Sequence, residues 1–307
     1  MMKKTALLAA LLVVLALFWA LPAFPGTVPA SLVPETARWV AHLDMEKFVT
    51  TGLYGLLDKD SVFQVKSRDL DHWVKMDLVK DVKSVTVFGL GGDDKDIVFA
   101  VAGNLDKAGI IALAEADEDH KKTAYGAYTV YSTDGNEHGA FINDRLFVFS
   151  EGRAALEKVL DTAGGKAKDF AGTPLSAALK DVPATAFLSG VLPDLSGLGK
   201  EINQSKVFQK AQGLFFLAQE KQDALQVRLQ VTTDSPESAK NMADVVQGFI
   251  AMAKLGGDQE DMARISSLLE GIQFKVDGKV FRLDFERPTK DVAELLSKGH
   301  GLRGLLD

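Results

Sequence analysis

A chain of 307 residues with no cysteine, 47% apolar residues and a net charge of −7 excludes several roles at the outset. Without cysteine there is no disulfide, no thiolate metal centre, no cysteine nucleophile and no lipid-modified cysteine at a leader junction, so stability must come from packing. The lysines alternate with acids, as in Lys75, Asp77, Lys80, Asp81 and Lys83, which makes a mixed solvated surface and not the basic face that nucleic acid requires.

The chain opens with Lys3 and Lys4, an apolar run from Ala6 to Phe24, and small residues at Ala23 and Ala30 that offer two cleavage points, as in a secretory signal. At 19 residues the run also approaches the roughly 20 that span a bilayer, so the same segment reads alternatively as an uncleaved anchor. Pro22, Pro25 and Pro29 take the chain out of a helix and into the extended form a peptidase binds. Loss of residues 1–30 would remove two lysines and no acid, moving the net charge from −7 to −9. Residues 1–30 are read as signal peptide or membrane anchor and the remainder as exported, periplasmic or extracellular, with membrane attachment through residues 6–24 as the alternative.

Two later segments echo each other. Val33-Pro34-Glu35-Thr36-Ala37 and Val182-Pro183-Ala184-Thr185-Ala186 share V-P-x-T-A, each followed by an apolar run. The features after them recur in order, as in a duplication. In the first half Ser84 to Leu90 and Ile97 to Ala102 read as a hairpin across Gly91 to Lys95, with Asn104 capping a helix. In the second half Gly213 to Ala218 and Leu225 to Val231 flank the turn Gln219 to Asp223. Asp234-Ser235-Pro236 then starts a helix whose apolar stripe is Met242, Val245, Val246, Phe249, Ile250 and Ala253, ended by Gly256-Gly257. Each half closes with a hairpin, Phe141 to Phe147 and Phe274 to Phe281, the latter turning at Asp277-Gly278. A helix follows each hairpin, Arg153 to Thr162 with Ala154, Leu156, Val159 and Leu160 as its apolar face, and Thr289 to Lys298 with Val292, Leu295 and Leu296. An extra strand, Tyr125 to Tyr131, lengthens the first copy.

The expected fold is α+β: two similar units of mainly antiparallel sheet with helices packed on one face, preceded by an N-terminal signal or anchor helix. The expected boundaries are 31–163 and 182–298 for the units, 164–181 for a linker or helical connection, and 299–307 for a flexible tail.

The segments Ala37 to Asp44, Val82 to Gly89 and Gly271 to Phe285 resemble those of a group of uncharacterised exported bacterial proteins. The resemblance spans most of the mature chain and implies export and a duplicated α+β layout. It names no site.

The five histidines are scattered, none within three to five residues of another, so no metal is expected, and no cofactor either. His42 and Asp44 lie two apart on the first strand and share a face, so Asp44 can orient or pair with the imidazole; alternatively Asp44 caps the following helix. This pair is the candidate ligand site, and no catalytic residue is assigned. Gly89-x-Gly91-Gly92 is followed by acids and a strand, and so reads as a hairpin turn and not a phosphate loop. Asp93 to Asp96 and Asp134 to Glu137 lack the spacing of a calcium loop. No G-x-S-x-G elbow is present. Trp39, Phe48, Tyr54, Phe63 and Trp73 read as core, and Phe48 to Leu57 as one amphipathic helix without a basic face. The expected function is non-enzymatic, a binding or structural role in the cell envelope with an unknown ligand or protein partner and no nucleic acid. The alternatives are a membrane-anchored envelope protein, a carrier of an apolar ligand and, last, a hydrolase using His42 and Asp44.

Overall fold

β-Branched and aromatic runs such as Val82 to Gly89 and Ile97 to Gly103 become strands, whereas the apolar run Gly109 to Ala114 is helical. The computed structural model describes residues 28–59, 79–91, 94–133, 137–195, 208–253 and 269–297. From the N-terminus come β1 (Trp39–Asp44), α1 (Met45–Phe48), α2 (Gly52–Leu57), β2 (Val82–Gly89), β3 (Ile97–Gly103) and α3 (Lys107–Glu115). Two hairpins follow, β4 (Lys121–Tyr125) with β5 (Tyr128–Ser132) and β6 (His138–Asn143) with β7 (Leu146–Ser150), then α4 (Arg153–Ala163), α5 (Pro174–Leu179) and β8 (Ala186–Leu192). The rest is β9 (Ala211–Lys221), β10 (Ala224–Thr233), α6 (Pro236–Ala253), β11 (Ile272–Asp277), β12 (Val280–Pro288) and α7 (Thr289–Ser297). The fold is α+β with mainly antiparallel sheet. Among the described residues no helix is long and apolar enough to cross a membrane, and Ala6 to Phe24 lies outside them.

The chain forms two units. The N-terminal unit comprises 22–50 and 64–193, and the C-terminal unit takes 51–63 together with the chain from 194 onward. This differs from the expected boundaries at 163 and 182, and the reason is strand pairing. β8 hydrogen-bonds antiparallel to β1, with His42 opposite Ser189 and Val40 opposite Val191, so it belongs to the first sheet. The expected linker at 164–181 is anchored to the same unit: Pro34 bridges Asp169, Phe170 and Leu175 are buried, and Thr173 caps α5 ahead of Pro174.

In the N-terminal unit the strand order is β8-β1-β2-β3-β7-β6-β5-β4. Its central strands are buried on both faces, which is why β2 reads as a continuous apolar run and not as an alternation. α4 covers one face with Ala155, Leu156, Val159 and Leu160, whereas Ala154, expected inside, is exposed. The helix after β3 is capped by Asp106, which accepts from Gly109 N at 2.9 Å, and not by Asn104, whose N–H is held by Asp81 O. The expected extra strand at Tyr125 to Tyr131 is two strands joined at Gly126-Ala127, where Gly126 has φ +58°.

In the C-terminal unit the order is β11-β12-β10-β9. β9 and β10 are longer than expected and turn through Gln222-Asp223 alone, both left-handed at φ 52° and 60°. One face of this sheet packs Val231, Phe281 and Leu283 against Ala239, Met242 and Ala243 of α6. The other face is polar: Arg228 and Arg282 both donate to Asp284, and Gln226 links Gln219 to Glu286. The start of α6 follows the expectation, with Ser235 Oγ accepting from Ser238 N at 3.1 Å, while Gly256-Gly257 lies outside the described residues.

The single helix expected over Phe48 to Leu57 is broken. Asp44 caps α1 and Thr51 caps α2, and the two helices belong to different units. Glu220 on β9 holds the start of α2, its two carboxylate oxygens accepting from Gly52 N at 2.8 Å and Leu53 N at 2.9 Å.

Candidate functional site

The residues expected to form a ligand site, His42 and Asp44, sit on β1 as predicted, and both hydrogen-bond within the N-terminal unit. His42 is buried, and Nδ1 lies 3.1 Å from Thr86 Oγ1, its register partner on β2. Asp44 is 1% exposed; Oδ1 accepts from Lys47 N at 2.7 Å and Oδ2 pairs with Lys47 Nζ at 2.6 Å. A carboxylate so placed closes a helix start. Replacing Asp44 by alanine is expected to lower stability by about 1–2 kcal/mol, whereas Asp44→Ser should recover most of that loss. Chemical denaturation of the two variants checks it, and equal losses would contradict a capping role.

A second polar cluster escaped the sequence reading. Ser132 Oγ and His138 Nδ1 are 2.7 Å apart across β5 and β6, with Arg153 and Glu157 of α4 nearby. Burial pushes the His138 pKa below its ordinary 6.5, Arg153 pushes the same way and Glu157 opposes. The neutral ring hydrogen-bonds Ser132 Oγ through Nδ1. Because the folded pKa is the lower one, the unfolded chain takes up the proton first as pH falls below about 6.5. Stability held above that pH is therefore lost on acidification, until the native ring also titrates. Melting temperatures of wild type and His138→Gln should diverge between pH 7.5 and 5, with the variant losing less; parallel curves would contradict this.

Among the described residues no group of three or more His, Asp or Glu side chains is placed to hold a metal ion. The Gly89 to Gly91 segment runs into the 3₁₀ turn Asp94–Asp96 and then β3, a strand-to-strand connection.

A concave site occurs in the C-terminal unit. An open cleft of about 490 Å³ lies where α2, the β9–β10 turn and the start of α7 meet. α2 supplies Gly52, Gly55 and Leu56, with Lys59 just beyond it; the turn supplies Glu220 and Asp223; the β12–α7 junction supplies Pro288, Thr289 and Lys290. A smaller depression of about 370 Å³ flanks Pro288 on the side of Glu286 and Arg287. The wall is organised by backbone bonds: Thr289 N donates to Asp223 O at 2.8 Å, fixing the helix start against the turn. Thr289 is 3% exposed, and its hydroxyl has no hydrogen-bond partner. The sequence marks Thr289 only as a helix start, and the cleft joins residues as far apart as Gly52 and Glu220, so no local motif announces it.

No protein-family model matches the chain, and no curated protein matches it. Among solved structures, crystal form III of the Treponema protein TP0453 aligns with a TM-score of 0.51 and 8% identity, covering 89% of this chain and 99% of that one. Crystal form I of the same protein gives 0.47 and 10% identity over 89% and 98%. At such identity the likeness is one of fold alone.

Proposed function

We propose that this chain is an exported, non-enzymatic binding protein of a bacterial cell envelope, and that its ligand occupies the cleft beside Thr289. The observation that carries the reading is the cleft's construction: three chain segments distant in sequence converge on one concavity of about 490 Å³. Export rests on Lys3, Lys4, the apolar run and the small residues at Ala23 and Ala30.

The duplicated layout belongs to the same proposal. In one unit a hairpin (β2–β3) leads into α3 and a later hairpin (β6–β7) into α4; in the other, β9–β10 leads into α6 and β11–β12 into α7. In both, the second hairpin's later strand pairs with the first hairpin's later strand, β7 with β3 and β12 with β10. The shared V-P-x-T-A precedes β1 and β8.

A second reading, a protein anchored through residues 6–24, is favoured by the 19-residue length of the apolar run. Expression of the full chain with its own leader, followed by intact and native mass spectrometry of soluble and membrane fractions, separates the two. A soluble species starting after Ala23 or Ala30, with extra bound mass, is the expected result. A full-length species confined to membranes would replace it with the anchored reading.

A further inference from the structure

We infer that the chain forms a two-fold dimer through β11, the edge strand of the C-terminal unit, which adds antiparallel to β11 of a second copy so that the two sheets become continuous. Among the described residues β11 pairs with β12 only. Which of its backbone groups face outward follows from the ladder. Glu286 N donates to Gly271 O at 3.0 Å, and the register runs unbroken from there to Asp277. Gly271, Gln273, Lys275 and Asp277 therefore bond to β12, while the N–H and C=O groups of Ile272, Phe274 and Val276 point to the open side. Such a row is a template for another strand, and proteins ordinarily blunt it with charge, proline or a bulge. The edge strand of the N-terminal unit, β4, is blunted in this way: it begins Lys121-Lys122, both exposed. β11 has a single lysine before its closing aspartate, no proline and no bulge, and it carries Val276 at 40% exposure.

The sequence of β11 selects a second copy of itself. Outward-facing residues must bond to outward-facing residues, and the two-fold pairing that joins most of them is centred on Phe274. Phe274 then stands opposite its own counterpart, Ile272 opposite Val276, and Gln273 opposite Lys275, each of the last two pairs occurring twice. Apolar side chains meet apolar ones on the face where Ile272 and Phe274 already pack against Ala239, Met242 and Ala243 of α6. Polar side chains meet on the other face, and no two like charges stand directly opposite each other. Centring the pair on Ile272 or on Val276 instead would set Phe274 opposite Glu270 or opposite Gly278 of the turn. The Phe274-centred register also covers Val276, the most exposed apolar side chain of the strand, with Ile272 of the other copy. α6 lies across β10, β12 and β11 together, and the exposure of Val276 shows that its cover stops short of the edge there, which leaves room for the incoming strand.

The test uses the protein recovered from expression of the full chain. Size exclusion with light scattering over a dilution series should show a dimer that dissociates on dilution. Val276→Pro removes an N–H that points away from β12, so the hairpin ladder survives, while the pairing loses a hydrogen bond at two symmetric places and should weaken about tenfold or more. Val276→Lys sets a charge against Ile272 of the other copy and should weaken it comparably; circular dichroism should show both variants folded, and Val276→Lys carries the comparison if the proline variant does not fold. Register is read by cysteine placement, clean in a chain that has none of its own. Gln273→Cys and Lys275→Cys proteins, mixed and allowed to exchange, should form a disulfide-linked dimer on mild oxidation about tenfold faster than either alone, because position 273 faces 275 and not itself. A monomer at every concentration, a dimer that folded Val276→Lys leaves intact, or equal crosslinking by the mixture and by either single protein would each overturn the inference.

Discussion

Replacing Phe88, the largest fully buried side chain among the described residues, by alanine should lower the unfolding free energy of the N-terminal unit by about 3–5 kcal/mol. Phe88 lies on β2 at the middle of its sheet and is fully buried. It stands in register with Val40 on β1 and Val98 on β3, both also at 0% exposure, so the ring is enclosed by strands that cannot close over its loss. Phe88→Leu keeps most of the volume and should cost less than about 1.5 kcal/mol. Tryptophan emission is the natural probe, because Trp39 sits on the adjacent strand β1. A Phe88→Ala loss below about 1 kcal/mol would mean that the site relaxes as no rigid sheet interior should.

Gly103→Ala is expected to cost about 3 kcal/mol by the opposite mechanism, the intrusion of one methyl group. Gly103 ends β3 beside the irregularity in β2 between Val82 and Ser84. A Cβ there would stand 2.0 Å from the carbonyl oxygen of Asp81 and 3.0 Å from Val82 Cα, which are backbone atoms that no rotamer change can move. The surrounding chain is tied down, since Gly103 N donates to Arg145 O and Asn104 N to Asp81 O. Gly248 in α6 is the internal comparison: nothing lies within 4 Å of its Cβ position, so Gly248→Ala should stabilise by about 0.5–1 kcal/mol. Paired denaturation curves settle both, and similar effects of the two substitutions would show that close backbone approach is not what selects glycine at 103.

Much of the secondary structure was readable because its signals are local. β2, β3, β6, β7 and β12 follow from β-branched and aromatic runs, and α6 from Asp234-Ser235-Pro236 and its apolar stripe. What failed was whatever depended on partners far along the chain. Val182 to Leu192 looks like the opening of a second domain, yet β8 completes the first sheet, and only its hydrogen bonds to β1 reveal that. Phe48 to Leu57 is apolar enough for one helix; the break comes from Thr51, whose side chain accepts from Tyr54 N, and from Glu220 drawing the second piece to β9. The Ser132–His138 contact was hidden because it joins two different strands, β5 and β6, and depends on their register. His42 and Asp44 attracted attention by residue type, whereas the cleft residues are mostly Gly, Leu, Pro and Lys and become a site only when Glu220 and Thr289 are brought beside α2.

The bond from Glu220 to Gly52 spans 168 positions, and this sets the order in which the protein can be finished. Gly52 to Leu57 leaves the ribosome long before the Glu220 carboxylate and the helix α7 that pack beside it. The C-terminal unit therefore cannot be obtained by cutting the chain at 182 or 194; a fragment built that way lacks the helix that roofs one side of its cleft. During synthesis the same six residues must wait in an unfinished state until Glu220 and α7 have followed them.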